Sequence, residues 1–185
     1  MKGKLKISNI LQGINQAFII VSFKKIILGL GGSATSDGGL GLIYPLGGKV
    51  VLDNDEPAAS ENERILFGRD LLKVKDVPKT TLLQNITLQI AVDVQNPFTG
   101  PIGAVHVFAK QKGADESTRN LLESAMIKFQ NILEHISQKD LKTAGTGAAG
   151  GVSGLLFCLA ESVEIKSGIQ IVADSIGVTF ILLFS

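Results

Sequence analysis

The sequence holds one cysteine, two histidines, one tyrosine and no tryptophan in 185 residues, and each scarcity removes a class of function. Cys158 has no partner for an internal disulfide, and its neighbours Leu155, Leu156, Phe157 and Leu159 are those of a core position, which fits a reducing compartment. His106, His135 and one cysteine supply neither a zinc set nor a Cys–His dyad. His106, between Val105 and Val107, reads as a half-buried structural residue and His135 as a surface residue. Charged residues make up 19% with a net charge of +1. They are scattered and lack an aromatic stacking series, so a reader of nucleic-acid backbone is not expected. Long apolar runs are missing too. Ala17–Val21 and Phe180–Phe184 fall far short of the ~20 residues that span a bilayer. Lys2, Lys4 and Lys6 with Asn9, Gln12, Asn15 and Gln16 interrupt any signal-peptide core. The expectation is a cytoplasmic chain without membrane or nucleic-acid partners.

What is abundant is apolar residues, at 45%, and glycine, at 21 of 185 residues, where roughly 7% glycine is usual. The glycines cluster in Gly29–Gly48 and Gly145–Gly154. Glycine weakens helices and strands, so clusters in an apolar chain point to backbone that approaches a ligand or other backbone closely.

Ile26–Leu30 reads as a short buried strand and Lys49–Leu52 as a second. Ser60-Glu61-Asn62-Glu63 has the spacing of a capping box and predicts a helix running to about Leu72. Ile86–Val94 alternates, with Ile86, Leu88, Ile90, Val92 and Val94 on one face, the period of a half-buried strand. Its carboxyl end delivers Asp93 to a loop broken by Pro97, Gly100 and Pro101. Leu122, Met126, Phe129, Leu133 and Ile136 recur at helical steps and predict a scaffold helix over Asp115–Ile136. Gly145–Gly151 opens an apolar helix through Val152–Ala160, and Ser167–Ile176 carries a short amphipathic pattern. Strands alternating with helices indicate an α/β fold.

Three segments could carry chemistry. In Gly31–Gly39, backbone N–H groups of Gly31, Gly32, Gly38 and Gly39 and the hydroxyls of Ser33 and Thr35 could cradle phosphate, with Asp37 holding Mg2+ or orienting a hydroxyl. A tight turn packed on a helix would use the same residues. In Asp93–Gly100, Asp93, Asn96 and Thr99 occupy the strand end where open α/β folds bind ligands, or Asp93 and Asn96 bond their own backbone in a turn. Gly145–Gly151, including Gly147 and Gly150, either offers N–H groups to an anion or permits close helix packing. Lys110 and Lys112 could meet a phosphate or be solvated loop residues. Gly29-x-Gly31-x-x-Ala34, with Asp53 19 residues further on, also matches a dinucleotide fingerprint. The crossover helix it requires would have to absorb Gly38, Gly39, Gly41 and Pro45. The Walker A pattern fails, with Ile43 at its leading glycine and Val50 at its Ser/Thr.

Taken together, Ile26–Gly48, Asp93–Gly113 and Gly145–Val172 resemble the type-1 glycerate kinase family in sequence and order. The resemblance covers Ile26 to Gly177. It implies the central portion of a two-domain α/β fold and phosphorylation of D-glycerate with ATP and Mg2+, Asp37 and Asp93 serving the metal or the attacking hydroxyl. Residues 1–25 and 178–185 do not resemble the family and read as a divergent N-terminal segment and a divergent apolar tail. The family's N-terminal Asp-x-Phe-Lys-Gly-Ser segment and its C-terminal glycine-rich segment do not occur. Gln95 stands where the family usually has an acid, and Ser36 replaces a common Asn. A fragment is therefore expected. It would be active alone, or act as a remnant or subunit completed by a second polypeptide, with self-association through exposed apolar ends as a further expectation. A dinucleotide-binding fragment is the remaining alternative.

Overall fold

A computed structural model describes residues 24–53, 66–78 and 83–177. Three parallel strands, β1 (Lys25–Gly29), β4 (Thr87–Val92) and β5 (Ser162–Ser167), form a sheet in the order β1-β4-β5. Their register aligns Ile26, Leu88 and Val163 in one row and Leu28, Ile90 and Ile165 in another, so one face of the sheet is a continuous apolar surface. The second sheet is an antiparallel pair, β2 (Val51–Leu52) and β3 (Val74–Asp76). Helices α1 (Ala104–Phe108), α2 (Glu116–Ser137) and α3 (Val152–Leu159) lie between β4 and β5, and α4 (Gly168–Ile176) follows β5. This is the expected α/β architecture.

β4 departs from the expected half-buried strand. It is the central strand, and Gln89 on its other face is only 8% exposed, its amide donating to Glu164 at 2.8 Å. Parallel strands are usually covered on both faces, and a glutamine tolerates that cover when its polar end is bonded. α2 follows its periodicity. The Asp115 carboxylate caps it by accepting from Thr118 N at 2.7 Å, and Met126, Phe129 and Leu133 are fully buried. The Phe129 ring packs at a tilt on Phe98, with centroids 6.4 Å apart. The amphipathic pattern at Ser167–Ile176 is realised as α4, which the Ser167 side chain caps.

Other expectations change. The predicted capping box at Ser60–Glu63 lies outside the described residues, and where the helix was expected to run on to Leu72 the described residues form a 3-10 turn, Gly68–Lys73. His106 is exposed on α1, not half-buried, because α1 turns Ala104 and Val105 into the core. The apolar segments 17–21 and 180–184 also lie outside the described residues. Among the described residues no helix is long and apolar enough to cross a membrane.

Cys158 is buried as expected, and burial pushes its thiol up to about 11 against weaker opposing effects of Ser137 and Lys139. Its ordinary value is 9.0, so at pH 8 its thiolate is about a hundredfold scarcer than in the unfolded chain. Iodoacetamide should leave the native thiol unlabelled under conditions that label the denatured chain fully. Because the neutral thiol is the form the fold favours, this contribution to stability is present below pH 9 and is lost as pH rises through about 11. Equal labelling rates in the two states would contradict the burial.

Candidate active site

The carboxyl ends of parallel strands point the same way, so β1 and β4 deliver their following loops to one edge of the sheet. There Gly31, Gly32, Ser33, Asp93, Lys112 and Gly150 line a cleft of about 190 Å3. Nothing lies within 4 Å of where a side chain would begin on Gly31 or Gly32, so both backbone segments are open to a ligand. Lys112 reaches in from a 3-10 turn, Lys110–Lys112. Its ammonium donates to Ser33 Oγ at 3.1 Å and to the Thr35 carbonyl at 2.6 Å, leaving one of its three N–H groups for a ligand. Burial lowers the Lys112 pKa, and the Asp37 carboxylate partly restores it. Asp93 is exposed, and its carboxylate forms no hydrogen bond with any described residue.

The other anticipated residues hold the scaffold around this cleft. Asp37 does not line it; its Oδ1 accepts from Gly39 N at 3.0 Å, the bond of a tight turn. Gly38 and Gly39 adopt φ of 63° and 79° and pack against Met126, Phe129 and Leu155. Thr35 contributes its carbonyl to Lys112. Asn96 donates to Ile102 O at 2.7 Å, and its own carbonyl accepts from Gly147 N at 2.9 Å. The Thr99 hydroxyl donates to Gln130 Oε1. Gly147 lies beneath the Pro97 carbonyl, and Gly150 beneath that of Thr35.

Sequence reasoning left Lys112 undecided and gave Ala149 no role. Ala149 is a cleft residue held at φ 53°, left-handed backbone of the kind that concentrates at functional sites. The Lys-Gln-Lys run before Gly113 was the available signal for Lys112. The dinucleotide reading fails on topology. Asp53 follows β2 in the other sheet and pairs with Lys128 at 3.2 Å, and in place of a crossover helix residues Leu40–Leu42 form a single 3-10 turn.

Among the described residues no group of three or more His, Cys, Asp or Glu side chains could hold a metal by itself. The cleft nonetheless offers the Asp93 carboxylate and the Ser33 hydroxyl. Mg2+ bound to nucleotide phosphates commonly takes only one or two protein carboxylates, so this donor set fits a metal that arrives with its nucleotide.

Comparison with known proteins places these features in a family. The chain is 38% identical over 152 residues to a glycerate kinase of Haemophilus influenzae, a match covering 82% of this chain and 39% of the relative. It is 35% identical over 159 residues to glycerate 2-kinase of Escherichia coli, covering 83% and 39%. The crystal structure of a presumed glycerate kinase 2 from Salmonella typhimurium LT2 superposes with a TM-score of 0.76 at 30% identity, covering 90% of this chain and 44% of that one. The chain thus spans about two fifths of the length of the curated relatives it matches. Residues 13–181 match the glycerate kinase family, and the chain belongs to that family.

Proposed function

We propose that the chain carries the phosphate-handling part of a cytoplasmic glycerate kinase, transferring the γ-phosphoryl group of ATP to a hydroxyl of D-glycerate. The observation that carries this reading is Lys112, a half-buried ammonium with one N–H to spare, facing open glycine backbone and an unbonded Asp93 across one cleft. Phosphoryl transfer relies mainly on positioning and charge neutralisation, and these groups can supply both. The N–H groups near Gly31 and Gly32 and the Ser33 hydroxyl would hold the phosphates, with Lys112 stabilising the charge that develops on them. Asp93 would orient the acceptor hydroxyl. As that oxygen bonds to the γ-phosphorus, the bond from phosphorus to the β,γ-bridging oxygen breaks, ADP leaves, and the hydroxyl proton passes to the Asp93 carboxylate. Asp93 would also be the residue to hold Mg2+, which when bound would supply charge neutralisation at the phosphates. Asp37 supports the site through its field at Lys112. Residues 26–177 form the functional region in this reading.

At about 190 Å3 the cleft is smaller than the ~300–1,000 Å3 of ordinary cofactor pockets, so it suits a phosphate tail better than a whole nucleotide. A coupled ADP-release assay tests the activity, run on the chain alone and with a polypeptide supplying the relatives' remaining sequence. Glycerate-dependent ADP release above the glycerate-free blank is expected in at least the second arrangement. Its absence from both, together with no detectable ATP binding, would remove the kinase reading.

A further inference from the structure

A second cavity, of about 270 Å3, opens beside the first at the ends of β4 and β5, with Asp93, Gln95, Ile165, Lys166 and Ser167 in its lining. Asp93 and Val94 line both cavities. Resting on the kinase reading, we propose that this second cavity is the acceptor pocket, in which Lys166 receives the carboxylate of a small hydroxy acid and Gln95 and Asp93 receive its hydroxyls.

The two cavities differ in the charge they can satisfy. Lys112 has its ammonium on a hydroxyl and a carbonyl, so its positive charge suits a phosphate tail. Lys166 lies 3.1 Å from Glu164 Oε2 and 3.4 Å from Asp174 Oδ2. Its charge is partly compensated, which suits one carboxylate better than a polyphosphate. Both acids are about half exposed, so solvent screens their repulsion of an incoming anion. They also fix the ammonium in place. Gln89 donates to Glu164 at 2.8 Å and Gln170 to Asp174 at 2.7 Å, so each acid is itself anchored. With two N–H groups directed at these acids, the ammonium keeps a third for a ligand.

The remaining polar groups sort in the same way. The Gln95 side chain forms no hydrogen bond with any described residue, and the Ser167 hydroxyl, which accepts from Gln170 N at 3.2 Å as the cap of α4, keeps its own O–H to donate. Gln95 and Asp93 are the side chains here with no bond to any described residue and so are the first to read hydroxyls, while Val92 and Ile165 offer apolar wall to a short carbon chain. With the acceptor here and the phosphates in the first cleft, Asp93 stands at the junction, where an acceptor hydroxyl must meet the phosphoryl group.

Calorimetric titration of the full chain with D-glycerate, glycerol and Mg·ATP tests this. Glycerol keeps the carbon chain and replaces the carboxylate with a hydroxymethyl group. We expect glycerate to bind and glycerol not to. Lys166→Met should weaken glycerate at least about tenfold, the loss typical of a charge-assisted hydrogen bond, while leaving Mg·ATP unchanged. Gln95→Leu, an exposed loop substitution that should not disturb folding, should weaken glycerate by a smaller factor. Lys112→Met should have the opposite selectivity. Glycerol binding as well as glycerate would overturn the inference, as would glycerate binding that depends on Lys112 and not on Lys166. Mg·ATP binding without glycerate binding would overturn it and leave the phosphate site standing. Failure of both ligands to bind would overturn this inference, and together with no ADP release in either arrangement of the coupled assay it would overturn the kinase reading as well.

Discussion

Lys112→Met is expected to weaken Mg·ATP by roughly 10- to 150-fold, the equivalent of about 1.5–3 kcal/mol for a hydrogen bond to a charged group. Where turnover is measurable, its rate should fall by about two to three orders of magnitude, because the same ammonium would face charge that develops during transfer. Folding should be nearly untouched. Burial already disfavours the charged lysine, as its lowered pKa records, so an uncharged side chain of similar length relieves a desolvation penalty while losing bonds to Ser33 and Thr35. The pH dependence has a definite sign. The folded pKa lies below 10.5, so the ammonium, and with it phosphate affinity, is lost at a lower pH than an ordinary lysine would show. The desolvation penalty is lifted over the same interval, so stability rises with pH between the folded value and 10.5. A variant that unfolds, or that binds Mg·ATP like the parent, would contradict the assignment of Lys112.

Gly150→Ala is expected to destabilise the fold by about 2–5 kcal/mol, combining left-handed strain for a residue with a Cβ and overpacking against rigid backbone. Gly150 has φ 70°, a Cβ there would run into the Thr35 carbonyl, and its own carbonyl accepts from Gly38 N at 3.0 Å. Moving Thr35 also moves an acceptor of Lys112, so phosphate affinity should fall along with stability. The matched control is Gly31→Ala, where φ is not in the left-handed region and the space is open. It should stay within about 0.5 kcal/mol of the parent, as surface substitutions usually do. Thermal unfolding of the three proteins measures the difference. About 2–4 °C per kcal/mol at this chain length gives a shift of roughly 4–20 °C for Gly150→Ala and almost none for Gly31→Ala. Equal melting temperatures would show that the Thr35–Gly150 contact is not close.

Strands β1 and β4 were legible to within a residue or two, because short apolar runs ending in glycine or a polar loop have few other uses. α2 was legible because its period persists for 22 residues. β5 was missed because it is an edge strand with Ser162, Glu164 and Lys166 on one face, so only Val163 and Ile165 signal burial. α1 was missed because five residues, two of them valines, make a single turn that only tertiary packing can hold.

The glycine run shows the same boundary. Gly31 and Gly32 face open space, while Gly38 and Gly39 face the core. Local sequence could not divide these tasks, since both pairs are flanked by small polar residues. Nor could it place Lys112, whose partners Ser33 and Thr35 lie nearly eighty positions away in sequence. That strand-end loops meet at one edge of the sheet, where the cleft lies, was readable from sequence. The choice among side chains depended on which were already bonded. Asp37, Asn96 and Thr99 are committed to the scaffold, whereas Asp93 is not.

The account rests most directly on where the nucleotide's phosphates sit, and a 15N–1H correlation spectrum of the chain titrated with Mg·ATP reports that residue by residue. The amides of Gly31, Gly32, Ser33 and Ala149 should shift in a saturable way, those of Lys139 and Gln170 should not, and Lys112→Met should suppress the shifts. Saturable shifts confined to residues outside the cleft, or shifts in the cleft that persist unchanged in Lys112→Met, would contradict it.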